Sequence, residues 1–165
     1  MSRALLILCT LFSSSMGIGM AQATVRVEPP NLQGPRPLPE QTAKAAIRDY
    51  LQSWESLRAA LEQNRPDLLD PAFVGAARDK LRTTVQQQAP LGIQSRYEDR
   101  AHTIQIVFYS PEGLSIELTD NVEYDVQLLD HGGVKTTQHM NARYLIVLTP
   151  AEVRWRVRVF QAGQE

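Results

Sequence analysis

The stretch Thr103–Val126, TIQIVFYSPEGLSIELTDNVEYDV, carries the period that decides the fold. Ile104, Ile106 and Phe108 alternate with Thr103, Gln105 and Val107, and after the turn Ser110-Pro111-Glu112-Gly113 the residues Leu114, Ile116, Leu118, Val122, Tyr124 and Val126 share one parity. A repeat of two is that of a strand with one buried face, so the stretch predicts a long β-hairpin. Downstream, Asp130-His131-Gly132-Gly133 is a second turn. It leads to Met140, Ala142, Tyr144, Ile146 and Leu148 on one face. Thr149-Pro150-Ala151 is a third turn, before Val153, Trp155, Val157 and Val159.

Upstream the period is that of a helix. Ala43, Ile47, Tyr50, Leu51, Trp54, Leu57 and Leu61 recur at three- and four-residue steps, predicting a helix over 40–63 with Lys44, Arg48, Gln52, Glu55, Arg58 and Glu62 opposite. Asn64-Arg65-Pro66 stops it. Phe73, Ala76, Ala77, Leu81 and Val85 mark a second helix whose first turn would hold Pro71, and Ala89-Pro90-Leu91-Gly92 ends that one. Helices grouped before strands indicate an α+β fold: two or more N-terminal helices packed on a curved four-stranded antiparallel sheet.

The N-terminus is read as a leader. Arg3 supplies one positive charge, Ala4 to Phe12 is a short apolar run, and Ala21-Gln22-Ala23 has the small-x-small spacing of a signal-peptidase site. The run is interrupted by serines and glycines and falls short of the roughly 20 apolar residues that cross a bilayer. Residues 1–23 are therefore expected to be a signal peptide and 24–39 a tether, stiffened by five prolines between Glu28 and Pro39. The domain proper is 40–165, in a secreted or periplasmic protein with no membrane span after cleavage. Removing the leader takes away the sole cysteine, Cys9, and with it disulfides and thiol chemistry.

Across the whole chain 17 basic residues face 18 acidic ones, so no charge excess recommends a nucleic-acid partner. No metal-ligand spacing, phosphate loop or nucleophile elbow is found, and neither a metal nor a cofactor is expected. His102, His131 and His139 stand apart and are read as solvated. On the last strand Arg154, Arg156 and Arg158 alternate with the apolar residues. They predict a basic stripe on the outer face, either laced with ion pairs to Glu117, Glu123 and Asp125 or open to an anionic partner. Lys135, His139 and Arg143 are expected on that same face.

The tryptophan-bearing first helix, the second helix after a proline break, and the pattern Tyr144-x-x-x-Leu148 then Val153-x-Trp155-x-Val157 resemble the nuclear transport factor 2-like superfamily over about residues 40–160. The resemblance implies a cone-shaped α+β barrel. Such cones serve isomerases, dehydratases and cyclases, and also extracytoplasmic modules that only bind or scaffold.

Asp120 is the one carboxylate on the apolar parity of its strand, and Tyr50 is in register with Ile47 and Trp54. In the resemblance, a Tyr and an Asp meeting in the cone are similar to the oxyanion-binding pair of ketosteroid isomerase-like members. The competing reading, which is preferred, makes Thr119-Asp120-Asn121 a bend in the strand, with the carboxylate capping local N–H groups. The expected function is binding or scaffolding without catalysis, toward a protein, a small hydrophobic ligand or a second copy of the chain. The alternative is an isomerase or dehydratase-type enzyme using Tyr50 and Asp120. Intact-mass measurement of the exported protein should give a chain beginning at Thr24; retention of residues 1–23 would overturn the leader assignment.

Overall fold

The computed structural model describes residues 23–163. The expected signal peptide, up to Ala23, lies outside them but for that last residue. The elements run β1 (Thr24–Val27), α1 (Glu40–Gln63), α2 (Gly75–Gln88), β2 (Ile93–Tyr109), β3 (Ile116–Asp130), β4 (Gly133–Pro150) and β5 (Trp155–Ala162). The sheet is five-stranded in the order β1-β2-β3-β4-β5 and does not close on itself. It is antiparallel except at β1, which pairs in parallel with 101–104 of β2. The α+β class holds, and the expected four-stranded antiparallel sheet gains a parallel edge strand from the segment read as tether. The prolines beyond it continue along β2. Glu28, Asn31 and Gln33 donate backbone N–H groups to the carbonyls of Ile104, Ile106 and Val107, while Leu32 and Leu38 pack against the core.

α1 has the expected bounds. Asn64 ends it in the left-handed region, returning its N–H to the carbonyl of Ala60. The buried face is Ala46, Tyr50, Trp54, Leu57 and Leu61, together with Asp49 and Ser53; Ile47 and Leu51 turn toward the side. α2 begins later than Pro71, because Ala72 and Val74 exchange backbone hydrogen bonds with Val157 and hold Phe73 as an extended bridge to β5. The chain then turns into the helix at Gly75, at φ +54°, a conformation that costs a side-chain-bearing residue about 1 kcal/mol or more. Among the described residues no helix is long and apolar enough to cross a membrane.

One face of the sheet packs on α1 and α2. Ile104, Ile106, Ile116, Leu118, Val122, Ile146, Leu148 and Val157 are buried there with Trp54 and Phe73. Bulges alter the simple parity. The register shift between Ile106 and Phe108 turns Phe108 outward opposite Glu117 and brings Tyr109 in opposite Ile116. A second shift, opposite Val147 and Leu148, leaves Arg158 unpaired between Val157 and Val159 and lets Phe160 face in opposite Ile146. Leu114 and Val153 sit in turns and are exposed, contrary to the alternation.

The two tryptophans thus differ. Trp54 is 2% exposed, with Tyr144, His102 and Phe160 packed edge-on at 5.4–5.5 Å between ring centroids. Trp155, on the inward parity of the last strand, is only half-buried, because β5 starts at that residue after an open turn. Trp54→Ala should cost about 3–5 kcal/mol and Trp155→Ala roughly half as much, read from denaturant unfolding. Equal losses would contradict this packing.

Candidate functional site

The polar residues on the sheet's inner face gather in one place. Asp120 stands in the middle of β3, paired with Ile104 on one side and Tyr144 on the other, and the ladder there is unbroken. The bend expected at Thr119-Asp120-Asn121 is absent, and so is a backbone cap. The carboxylate is engaged across the core instead: its Oδ2 accepts a hydrogen bond from the Tyr50 hydroxyl at 2.8 Å and lies 2.6 Å from His102 Nδ1. The Tyr50 hydroxyl in turn accepts from Trp54 Nε1 at 2.8 Å. Both candidates named from the sequence, Tyr50 and Asp120, are in direct contact at 0% exposure.

His102 is the member that sequence reasoning missed. It is read as solvated because it stands at the start of its strand, yet it shares the parity of Ile104 and Ile106 and is 2% exposed. A bulge in β2 brings Asp99 beside it: the register shift between Asp99 and Ala101 inserts Arg100, so that Asp99 opposite Tyr124 and His102 opposite Val122 share the inner face. Plain alternation would put residues 99 and 102 on opposite faces. Asp99 Oδ2 lies 3.7 Å from His102 Nε2 and 3.5 Å from Arg58 Nη1. A chain of contacts therefore runs Trp54, Tyr50, Asp120, His102, Asp99, Arg58, from the core to the half-exposed guanidinium.

The charges in this chain balance. Burial disfavours a positive imidazole, but the hydrogen bonds and charges of Asp120 and Asp99 outweigh it and raise the His102 pKa from 6.5 to about 9. His102 is then an imidazolium at neutral pH, with both ring nitrogens acting as donors. Burial, reinforced by the Asp120 charge, also pushes the Tyr50 phenol well above its usual value. Tyr50 thus stays protonated and donates. One oxygen on each carboxylate, Asp99 Oδ1 and Asp120 Oδ1, is buried with no partner. Among the described residues no three His, Cys, Asp or Glu side chains converge as metal ligands.

Around the cluster the space is filled by rings. Tyr144 stacks on Phe160 at 4.8 Å and Tyr97 on Tyr124 at 5.4 Å, while the hydroxyls of Tyr124 and Tyr144 meet at 2.9 Å. Two surface cavities lie elsewhere. One, of about 620 Å³, runs between β1 and α1, and the other, of about 380 Å³, is on the outer face of the sheet beside Phe108 and Arg143. Neither is lined by Tyr50, His102 or Asp120.

The expected arginine stripe is not continuous. Arg154 belongs to the turn before β5, Arg156 is half-buried with an unpartnered Nε, and Arg158 occupies the bulge. Among the described residues none of the three is in an ion pair. Two of the outer-face acids, Glu123 and Asp125, pair instead with β2 and β4. Asp125 accepts from Arg100 Nε at 3.0 Å and lies 2.9 Å from His139 Nδ1; Arg100 first, and His139 after it, hold its carboxyl below the usual range. His139 is thus paired rather than simply solvated, whereas His131 sits in the exposed turn beside Asp130.

No protein-family model matches the chain, and no curated protein matches it in sequence. Solved structures do. The intermembrane space region of the chloroplast protein ARC6 superposes with a TM-score of 0.64 at 14% identity, covering 79% of this chain and all of that one. A putative scytalone dehydratase from Novosphingobium aromaticivorans gives 0.52 at 13% identity over 75% of this chain and 88% of its own. Aln2 from a Streptomyces species gives 0.51 at 13% identity over 79% and 94%. At such identities the likeness concerns architecture, and the fold of this chain is nuclear transport factor 2-like.

Proposed function

We propose that the chain is an extracytoplasmic domain, secreted or periplasmic, that binds or scaffolds and carries out no catalysis of its own. The observation that carries this reading is the closure of the cone: Tyr50 and Asp120 are at 0% exposure, hydrogen-bonded to each other and packed among aromatic rings. An enzyme of this architecture needs convergent polar groups in a cavity that a substrate can enter. Here Tyr50, His102 and Asp120 Oδ2 are engaged with one another. With the leader removed after Ala23, Thr24 is both the chain's first residue and the first residue of β1. ARC6's matching region lies in an intermembrane space, which accords with a role for this fold outside the cytosol.

A second reading, an isomerase or dehydratase-type enzyme, draws on the 2.6 Å contact between His102 and Asp120. A carboxylate and an imidazole in contact are the parts of general acid–base catalysis. That reading requires the rings to part. Fluorescence separates the two. In a Trp155→Phe background the sole remaining tryptophan, Trp54, should be weakly quenched by acrylamide and unmoved by cyclohexanone as a small apolar carbonyl probe. Strong quenching, or a shift on adding the probe, would favour the enzyme.

The cluster also dictates a pH response. The folded His102 pKa of about 9 lies above the unfolded 6.5, so its contribution is fully present below pH 6.5 and is lost as pH rises through 9. Stability should fall across that window by on the order of 3 kcal/mol, and His102→Gln should flatten the curve. Asp120→Asn leaves the imidazolium without its partner and should cost about 3–5 kcal/mol. Urea melts at several pH values check both.

A further inference from the structure

We propose that the free edge of β1 and the groove beside α1 form a two-fold interface between two copies of this chain. β1 is the outermost strand of the sheet, and among the described residues nothing pairs with its outer side. Glu28 sends its N–H to the carbonyl of Ile104. By alternation along a parallel strand, the N–H and C=O of Arg26 point the same way, whereas those of Val25 and Val27 point to the open edge. An uncovered edge of this kind is a template for another strand.

The side chains beside that edge are apolar and uncovered. Val25 is 43% and Val27 50% exposed, although they stand in register with the buried His102 and Ile104. Together with Ile47 and Leu51 of α1 they line the groove of about 620 Å³, whose helical wall carries Lys44 and Arg48 toward one end and Glu55 at the other. This explains why Ile47 and Leu51, apolar in the sequence pattern, lie off the buried face of α1.

Charge selects the occupant and the register. Arg26 and Glu28 project on the same side of β1, their charged groups 3.8 Å apart. In an antiparallel pairing with the two-fold axis at Val27, Arg26 of each copy faces Glu28 of the other, and Val27 faces its own equivalent. Centring the axis on Arg26 would oppose two guanidinium groups, which is unfavourable. The same two-fold reverses the helical wall, bringing the basic end of one copy toward Glu55 of the other. Self-complementarity of this sort is what an isologous interface requires, and a second copy supplies it. The added strand also carries its valines into the groove against Ile47 and Leu51.

Sedimentation velocity on the full chain, as expressed and processed by the cell, tests this from about 1 to about 100 µM, the range in which a modest interface dissociates. The wild type should dimerise. Arg26→Glu and Glu28→Arg, each counted twice by symmetry, should weaken dimerisation about tenfold or more with unchanged melting. The double variant should return to within about threefold of wild type, as a coupled pair does. Independently of those variants, Val27→Cys should oxidise to a covalent dimer and Val25→Cys, four residues out of register, should not. A wild type that stays monomeric would overturn the proposal and leave the edge to a strand from another protein. A double variant as weak as the singles, or cross-linking at Val25 in place of Val27, would equally overturn it.

Discussion

The hydrogen bond from Tyr50 to Asp120 ties the middle of α1 to the middle of the sheet, and most of the inner architecture is arranged around it. A carboxylate at 0% exposure carries a desolvation cost of several kcal/mol, which only opposite charge and donors can offset. Asp120 has both, in the His102 imidazolium and the Tyr50 phenol. Trp54, one turn further along the same helix, donates to the same phenol and so holds its hydroxyl in place for Asp120. Apolar packing of Leu57, Leu61 and the sheet's isoleucines would tolerate small slips of the helix; directional contacts would not. Specificity of arrangement is the best account of such a network, since an apolar replacement of equal volume could match its stability.

Strand irregularity is the second constraint. The bulge at Arg100 places Asp99 and His102 on one face, completing the charge balance, while Arg100 itself goes outward to Asp125. The shift after Ile106 brings in Tyr109, and the one beside Val147 brings in Phe160, which stacks on Tyr144 and closes the space beside Trp54. Each irregularity exchanges what the two faces of the sheet present. Together they turn a potentially hollow cone into a core filled by aromatic rings. In the binding role proposed above, contacts with a partner fall to surfaces at the edge of the sheet rather than to its interior.

Asp49 shows the same economy at the other end of the sheet. Nearly buried on α1, it accepts the backbone N–H of Trp155 at 2.8 Å and a hydrogen bond from Arg48 Nε at 2.9 Å. It thereby satisfies the first residue of β5, which follows an open turn. With Asp120 in the centre and Glu62 accepting from Arg96 Nε of β2 at 2.7 Å, α1 makes side-chain hydrogen bonds to three strands. The helix is fixed by all three, which leaves its outer stripe, Ile47 and Leu51, beside the uncovered edge of β1.

Periodicity in the sequence by itself determined the bounds of α1, the order of helices before strands, the turns that separate β2 to β5 and the inward parity of Asp120 and Tyr50. These are local quantities, set by spacing, proline and glycine. The parallel pairing of β1 was not legible, because a four-residue Thr-Val-Arg-Val segment joins the sheet only where β2 offers a free edge. Nor was the inward turn of Asp99 beside His102, since a bulge depends on how two strands register against each other and leaves no mark in one strand's own alternation. Tertiary structure alone decided that the carboxylate of Asp120 would meet an imidazolium, because only a folded, low-dielectric interior brings residues 50, 102 and 120 close enough for their charges to matter.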